Sequence, residues 1–238
     1  MTPRVAVSIC SGDWARYAIF YGSLFHVRGV TCENIFQSRG PDANANAIAN
    51  TEKALQAGFT HLWMVDDDQV FTADTLEKLL ARDVEIVSGL YVQREPPFTP
   101  HIYDETERGL FLPRLLKRGD QGLVGPLGAV GGGCLLIRLS VFEAIGRPYW
   151  QFGENGLDPL SPDLEFCRRA RAAGFSVWCD LDVPCGHMMQ AGLWPNRDQD
   201  GEWFTVMMHT KGRIAAWTAA AIETGDASGD GDGGGNAR

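Results

Sequence analysis

The sequence contains no apolar run long enough to cross a membrane. A membrane-spanning helix needs roughly 18 or more consecutive apolar residues, and no segment of the 238-residue chain reaches that length. The N-terminal segment MTPRVAVSIC is also too short and too polar for a signal peptide. We therefore expect a cytoplasmic protein with no membrane segment.

The sequence also lacks an excess of basic residues and the paired cysteines of a zinc site. Its formal net charge is −9, whereas a large non-specific nucleic-acid surface requires clustered Lys and Arg. None of its six cysteines forms a C-x-x-C pair, so we expect no structural zinc site. Several cysteines stand in apolar runs, which predicts buried free thiols in a reducing compartment.

The segments that are present alternate between strand and helix in the first 95 residues. Strands are predicted at 4–10, 30–37, 61–65 and 84–91, and helices at 44–57 and at 73–82. Thr72 is the predicted N-cap of the helix at 73–82. This order is typical of a mostly parallel sheet flanked by helices, an α/β architecture.

The second half begins with a predicted loop over 93–111 that contains one hairpin. A glycine turn then precedes an apolar strand and a short helix, and Ser161 and Pro162 mark the start of another helix. A last strand leads to His187, and segment 211–223 has the composition of a terminal helix. Residues 223–238 are almost entirely Gly, Asp, Ser and Ala, which predicts a disordered tail.

Three consecutive aspartates, Asp66, Asp67 and Asp68, follow the apolar run HLWMV. Ligands of an open parallel sheet bind beyond the carboxyl ends of its strands. In an extended segment, residues 66 and 68 point to the same side, whereas Asp67 faces outward as a spacer. Two converging carboxylates favour a cation between them, and oxygen ligands suit Mn²⁺ or Mg²⁺. The run therefore indicates a divalent cation that bridges to a diphosphate; the alternative is a solvated turn.

Three residues further along the chain are also candidates for this site, as a metal ligand, a base and a phosphate ligand. His187 follows the last predicted strand, where an imidazole is placed to be a third metal ligand or a structural residue. Asp163 lies in the first turn of a predicted helix, where it either complements the helix dipole or serves as a carboxylate base. Arg94 lies in the polar segment YVQREPP, where it is either a phosphate ligand or a solvated loop charge.

These motifs, taken in order, resemble those of GT-A-fold glycosyltransferases, most of all the family-2-type inverting enzymes. The segments that carry the resemblance are SRG, HLWMVDDDQVFTADTLEKLL, GLY, AVGGGCLLIRLSVFEAIG, SPDLEFCRRARAAGF and VWCDLDVPCGHM. Together they span about residues 4–190. The resemblance implies one Rossmann-like GT-A domain over 1–222, with a donor half of about 1–120 and an acceptor half of about 121–222.

The resemblance also implies a nucleotide-sugar donor, UDP- or GDP-linked, bound through Mn²⁺ or Mg²⁺ that is held by Asp66, Asp68 and His187. The implied nucleotide-sugar contacts are Ser11, Gly12, Arg39, Asp66, Asp67, Arg94, Gly132 and Gly133. Asp163 takes the position of the base that deprotonates the acceptor. Glu165 is the alternative base, because Pro162 replaces the Glu that precedes this Asp in the family. The match at Arg39 is also partial, because Gly40 replaces the Asn that follows this Arg in the family.

The implied activity is transfer of a sugar to an acceptor hydroxyl with inversion. A sugar nucleotidyltransferase is one alternative, but it would need a glycine-rich basic loop after the first strand. The segment at that place, SGDWARY, has only one Gly and one Arg. A non-catalytic carbohydrate-binding or scaffold protein is another. The segment 188–204 is a predicted lid in which Trp194 and Trp203 could stack on a sugar. Protein, glycan, lipid and modified nucleic acid, including DNA, all stay open as acceptors.

Overall fold

The computed structural model of the chain describes residues 2–11, 17–40, 42–94, 97–155, 158–189, 192–197, 199–200, 203–209 and 212–218. The chain divides into two compact units, Met1–Met188 and Met189–Arg238. The predicted tail at 223–238 lies outside the described residues.

The described part of the first unit contains fourteen strands and five helices. Its strands are β1 (Val5–Ser11), β2 (Ile35–Arg39), β3 (His61–Val65), β4 (Gln69–Val70), β5 (Ile86–Leu90), β6 (Ile102–Glu105), β7 (Phe111–Pro113), β8 (Leu123–Leu127), β9 (Ala129–Val130), β10 (Cys134–Arg138), β11 (Gly153–Asn155), β12 (Asp158–Leu160), β13 (Val177–Pro184) and β14 (Gly186–His187). Its helices are α1 (Ala18–Leu24), α2 (Ala43–Gln56), α3 (Thr75–Ala81), α4 (Leu139–Ile145) and α5 (Pro162–Ala172).

A seven-stranded sheet forms the centre of this unit, in the order β2-β1-β3-β10-β5-β13-β8. β1 pairs in parallel with β2 and β3, and β13 pairs in parallel with β5. β10 and β8 run antiparallel to the strands beside them. The predicted α/β fold with a mostly parallel sheet is therefore confirmed.

The central sheet is buried on both faces because its strands are apolar on both sides. Leu62 and Ile137 face a core that contains residues of α2, α4 and α5. Their sequence neighbours Trp63 and Leu136 face a second core with residues of α1 and α3. Since side chains alternate along a strand, a strand covered by helices on both faces needs continuous apolar runs such as HLWMV and CLLI.

The structure corrects one helix boundary and confirms two others. α2 begins at Ala43, one residue from its predicted start, and α5 follows Ser161 with Pro162 first, as predicted. α3 begins at Thr75 after Asp74, so the predicted N-cap at Thr72 is wrong. The carbonyl of Thr72 accepts a 3.1 Å hydrogen bond from the amide of Thr75, which places Thr72 in a turn before the helix.

The described part of the second unit is an antiparallel sheet. Its strands are β15 (Gly192–Arg197), β16 (Trp203–His209) and β17 (Gly212–Thr218). The predicted terminal helix at 211–223 is thus wrong over Gly212–Thr218. The alanines of this segment favour a helix, but pairing with β16 over Phe204–His209 overrides that preference.

The structure also describes the cysteines and the length of the helices. All six cysteines are free, and Cys134, Cys167 and Cys179 are buried. Among the described residues, no helix combines the length and the apolar character that crossing a membrane requires.

Candidate active site

The strand order brings the predicted site residues to one edge of the central sheet. β1, β3 and β5 are parallel and end there, and the antiparallel β10 begins there after the glycine turn 131–133. The short strand β4 follows the aspartate run and pairs with β14, with Gln69 opposite His187. This pairing places His187 beside the aspartates although more than a hundred residues separate them in the chain.

A cavity of about 520 Å³ opens at this edge. Its size is within the usual range for small-molecule sites. It is lined by Cys10, Ala43, Asn44, Ala47, Met64, Asp66, Asp68, Tyr91, Gln93, Arg94, His101, Gly132, Trp150, Pro162, Asp163 and His187. The structure therefore brings together Asp66, Asp68, His187, Arg94, Gly132 and Asp163 of the predicted set.

The three aspartates have different surroundings. Asp66 and Asp68 both line the cavity, as predicted, but residues 66–69 form a turn, closed by a 3.2 Å hydrogen bond from the amide of Gln69 to the carbonyl of Asp66, and not the predicted extended segment. Burial, and then the nearby carboxylates of Asp68 and Asp163, raise the pKa of Asp66 to about 7. Asp67 is 5% exposed and accepts a 2.5 Å hydrogen bond from Oγ of Ser11. The prediction that Asp67 faces outward is therefore wrong, because the chain turns it toward the end of β1.

Asp68 faces two groups that are distant in sequence. Nη1 of Arg94 donates a 2.9 Å hydrogen bond to Oδ2 of Asp68. Nε2 of His187 lies 3.5 Å from Oδ1 of Asp68, while Nδ1 of His187 lies 2.7 Å from the carbonyl oxygen of Val92. Because a carbonyl can only accept, Nδ1 carries a proton and donates it to Val92, which leaves Nε2 facing Asp68.

The donor set can be tested against the implied divalent cation. Two carboxylates and one imidazole are ligands that Mn²⁺ accepts, and a backbone carbonyl fixes the imidazole tautomer as it does for many metal-bound histidines. Within the described part of the chain, no three or more His, Cys, Asp or Glu side chains are close enough to hold a metal ion by themselves. Asp66, Asp68 and His187 therefore do not form a complete metal site as they stand, and a cation bound by them would take further ligands from water and a diphosphate.

Asp163 is held at the wall of the cavity by the start of α5 and the glycine turn. Its Oδ2 accepts a 3.1 Å hydrogen bond from the amide of Gly132, and its Oδ1 accepts from the amide of Leu164 at 3.0 Å. The hydroxyl of Ser161 also donates to Oδ1. These contacts fix the carboxylate in one orientation at the cavity wall, as a base requires.

Glu165, the predicted fallback base, does not line the cavity. Its side chain is 4% exposed and pairs with Arg168 at 2.6 Å between Nη2 and Oε2. It packs against Gly153 of β11, where a side chain on Gly153 would collide with the carboxylate.

Two aromatic residues of the cavity were not identified from the sequence. Tyr91 and His101 stack with their ring centroids 4.7 Å apart, and Tyr91 meets His187 edge to face at 5.5 Å. The hydroxyl of Tyr91 accepts a 2.9 Å hydrogen bond from the buried amide of Gly133. Burial lowers the pKa of His101 to about 4, so this imidazole is neutral at pH 7. The position of Tyr91 directly after an apolar strand was the available sequence signal.

We expect Tyr91→Phe to lower the free energy of unfolding by about 1–3 kcal/mol, because the buried amide of Gly133 loses its acceptor. Urea denaturation measures this change. Tyr21→Phe is the matched control. The Tyr21 hydroxyl accepts from the side-chain amide Nε2 of Gln37, which is half-buried and can hydrogen-bond to water instead. Equal losses in both variants would contradict a specific role of the Tyr91 hydroxyl in holding the glycine turn.

The remaining predicted residues have the following places. Ser11 ends β1, and its partner in the parallel ladder is Arg39, the last residue of β2. Gly12 lies outside the described residues. In the second unit, Trp194 is opposite Val206 and Trp203 is opposite Arg197 in the antiparallel pair of β15 and β16, so the predicted lid 188–204 contributes β15 and the first two residues of β16 to that sheet.

No protein-family model and no curated protein matches this chain. Solved structures do match it. A197 from STIV aligns with a TM-score of 0.58 and 13% identity, over 84% of this chain and 92% of A197. GalNAc-T7, crystallised with UDP, GalNAc and Mn²⁺, aligns with a TM-score of 0.55 and 12% identity, over 79% of this chain and 44% of GalNAc-T7.

The comparisons support the GT-A glycosyltransferase fold for this chain. Sequence identities this low show a shared fold alone, since one fold serves many functions. They do not support the family-2 type in particular, and that assignment stays a prediction.

Proposed function

We propose that this protein is a metal-dependent glycosyltransferase. It transfers a sugar from a nucleotide-sugar donor, UDP- or GDP-linked, to a hydroxyl of an acceptor, with inversion at the anomeric carbon. One observation carries the proposal: a single cavity of a GT-A-type fold is lined by Asp66, Asp68 and His187 and also by Asp163. A binding module has no need of a fixed carboxylate beside an acidic cation site.

The donor diphosphate is expected to lie at the aspartate side of the cavity. Asp66, Asp68 and His187 would hold Mn²⁺ or Mg²⁺ there, and GalNAc-T7 is a structural neighbour solved with UDP and Mn²⁺. A bound cation would supply Lewis-acid stabilisation of the charge on the departing diphosphate. Arg94 is 42% exposed beside Asp68, so its guanidinium can turn from that carboxylate to a phosphate oxygen.

Asp163 is the proposed base. It accepts the proton of the acceptor hydroxyl as the hydroxyl oxygen forms a bond to the anomeric carbon and the bond from that carbon to the diphosphate breaks. The amide of Gly132 and the hydroxyl of Ser161 hold the carboxylate while this occurs. Attack from the side opposite to the diphosphate inverts the anomeric centre, through an oxocarbenium-like state.

A cytoplasmic location is part of the same proposal. Six free cysteines suit a reducing compartment.

The proposal also gives a nucleotide-binding role to Ser11, Gly12, Arg39 and Asp67. The contact between Ser11 and Asp67 links two of these residues at the end of β1.

The test is a panel of nucleotide-sugars incubated with the protein and Mn²⁺. We expect release of nucleoside diphosphate from at least one UDP- or GDP-linked donor, and loss of that release in EDTA. No release from any donor, together with no Mn²⁺-dependent thermal shift with UDP or GDP, would favour a scaffold protein. Pyrophosphate release from a nucleoside triphosphate and a sugar phosphate would favour a nucleotidyltransferase.

A further inference from the structure

The side chain of Gln69 is fully buried without a partner of its own. Gln69 is 0% exposed, and among the described residues neither Oε1 nor Nε2 of its carboxamide has a hydrogen-bond partner. An unpaired amide in a protein interior destabilises the fold, because it loses the hydrogen bonds that water gives it in the unfolded chain. A buried amide of this kind is expected to gain its partner from a bound water, an ion or a neighbour that rearranges.

Gln69 differs in this respect from other buried side chains that have one unpaired atom. Arg138 and Glu165 each have such an atom, but both form an ion pair, with Asp83 and Arg168. In the part of the chain that the structure describes, Gln69 is the one side chain that has two buried atoms without a partner. The cost of its burial is therefore not offset within its own side chain.

The backbone places Gln69 beside two of the proposed cation ligands. Gln69 is opposite His187 in the antiparallel pair of β4 and β14, and opposite residues of such a pair project to the same face. Its amide also donates a 3.2 Å hydrogen bond to the carbonyl of Asp66, which closes the turn after β3. The backbone of Gln69 is thus fixed next to Asp66 and His187.

The glycine turn lets the Gln69 carboxamide approach the carboxylate of Asp66. A Cβ on Gly133 would lie 2.9 Å from Nε2 of Gln69 and 3.2 Å from Oδ2 of Asp66. Both atoms therefore border the space that Gly133 leaves open by having no side chain. Asp66 lines the cavity and Gln69 does not, so the carboxamide lies behind the wall that Asp66 forms.

We propose that Gln69 is a positioning residue of the cation site, and that its Nε2 donates a hydrogen bond to Asp66 and orients this carboxylate toward a bound cation. The terminal torsions of both side chains are soft, which lets the amide turn toward the carboxylate. Carboxylates that bind a metal are usually held by hydrogen bonds from groups behind them. The inference rests on the proposed function, because it needs the cation that Asp66 and Asp68 would hold.

The test is Gln69→Met, which keeps an unbranched side chain of similar length and removes both polar atoms. Electron paramagnetic resonance measures free Mn²⁺ while the protein is titrated in the presence of UDP or GDP, with protein-free titrations subtracted. We expect the Mn²⁺ affinity to fall about 10–100-fold, as for other residues that orient a metal ligand. In EDTA, we expect a Tm at or above that of the unchanged protein, because the variant loses no hydrogen bond within the protein.

Gln37→Met is the matched control, because it makes the same change at a carboxamide that has a partner. Nε2 of Gln37 donates a 3.0 Å hydrogen bond to the hydroxyl of Tyr21, and Gln37 does not line the cavity. We expect this variant to keep its Mn²⁺ affinity and to have a Tm in EDTA at or below that of the unchanged protein.

Unchanged Mn²⁺ affinity in Gln69→Met, when the unchanged protein binds Mn²⁺, would overturn this inference and leave the proposed function in place. A lower Tm of Gln69→Met in EDTA would also overturn it, because the carboxamide would then have a structural partner such as a buried water. A lack of Mn²⁺ binding by the unchanged protein would contradict the proposed cation site and this inference together. The two proposals therefore fail on different results.

Discussion

Asp163→Asn is expected to reduce sugar transfer by about 10²–10⁴-fold while donor binding stays unchanged. The asparagine side chain has nearly the shape of the aspartate, and its carbonyl oxygen can still accept from the amide of Gly132. It cannot accept the proton of an acceptor hydroxyl at neutral pH. Steady-state rates with the active donor of the panel, together with Mn²⁺-dependent UDP or GDP affinity, separate the two effects.

Glu165→Gln is the matched control for Asp163→Asn. Both residues are acids in the first turn of α5, and Glu165 lies outside the cavity in a pair with Arg168. We expect this variant to keep its rate. A loss of rate in Glu165→Gln with full activity in Asp163→Asn would reverse the roles of the two acids. Weakened donor binding in Asp163→Asn would instead place this residue in the donor site.

The elements that the sequence predicted well are those whose local pattern and tertiary surroundings agree. The run HLWMV is a strand over His61–Val65, as predicted, because an apolar segment of that length suits a strand buried on both faces. The α5 start at Pro162 combines a serine at the N-cap position with a proline at the first helical position. The strand Gly212–Thr218 shows the opposite case, in which pairing with a neighbour overrode alanine propensity.

The residues of the candidate site show the same difference between local pattern and tertiary contacts. The prediction that Asp66 and Asp68 converge was right, but a turn after β3 brings them to one cavity and not the alternation of a strand. The contact of Asp67 with Ser11 and of Asp68 with Arg94 joins segments that sequence spacing cannot bring together. Tyr91 and His101 were not predicted as site residues for the same reason, because their stacking depends on how the segment between β5 and β6 returns to the sheet.

Removal of the Asp68 charge should abolish most cation-dependent donor binding. In Asp68→Asn, we expect the Mn²⁺-dependent affinity for UDP or GDP, whichever the protein binds, to fall at least about a hundredfold, or about 2.7 kcal/mol. One of the two carboxylates that would hold the cation becomes neutral, while Arg94 and His187 stay beside it. Isothermal titration calorimetry with and without Mn²⁺ measures the change.

The control for this variant is Asp182→Asn. Asp182 also pairs with an arginine, Arg82, at 3.1 Å, but its side chain is 53% exposed and away from the cavity lining. Because exposed ion pairs contribute little, we expect its nucleotide affinity to be unchanged. If Asp68→Asn kept its Mn²⁺-dependent affinity, Asp68 would be a partner of Arg94 alone and the cation would have to be held elsewhere. If both variants lost affinity equally, a general charge effect would replace the cation site as the explanation.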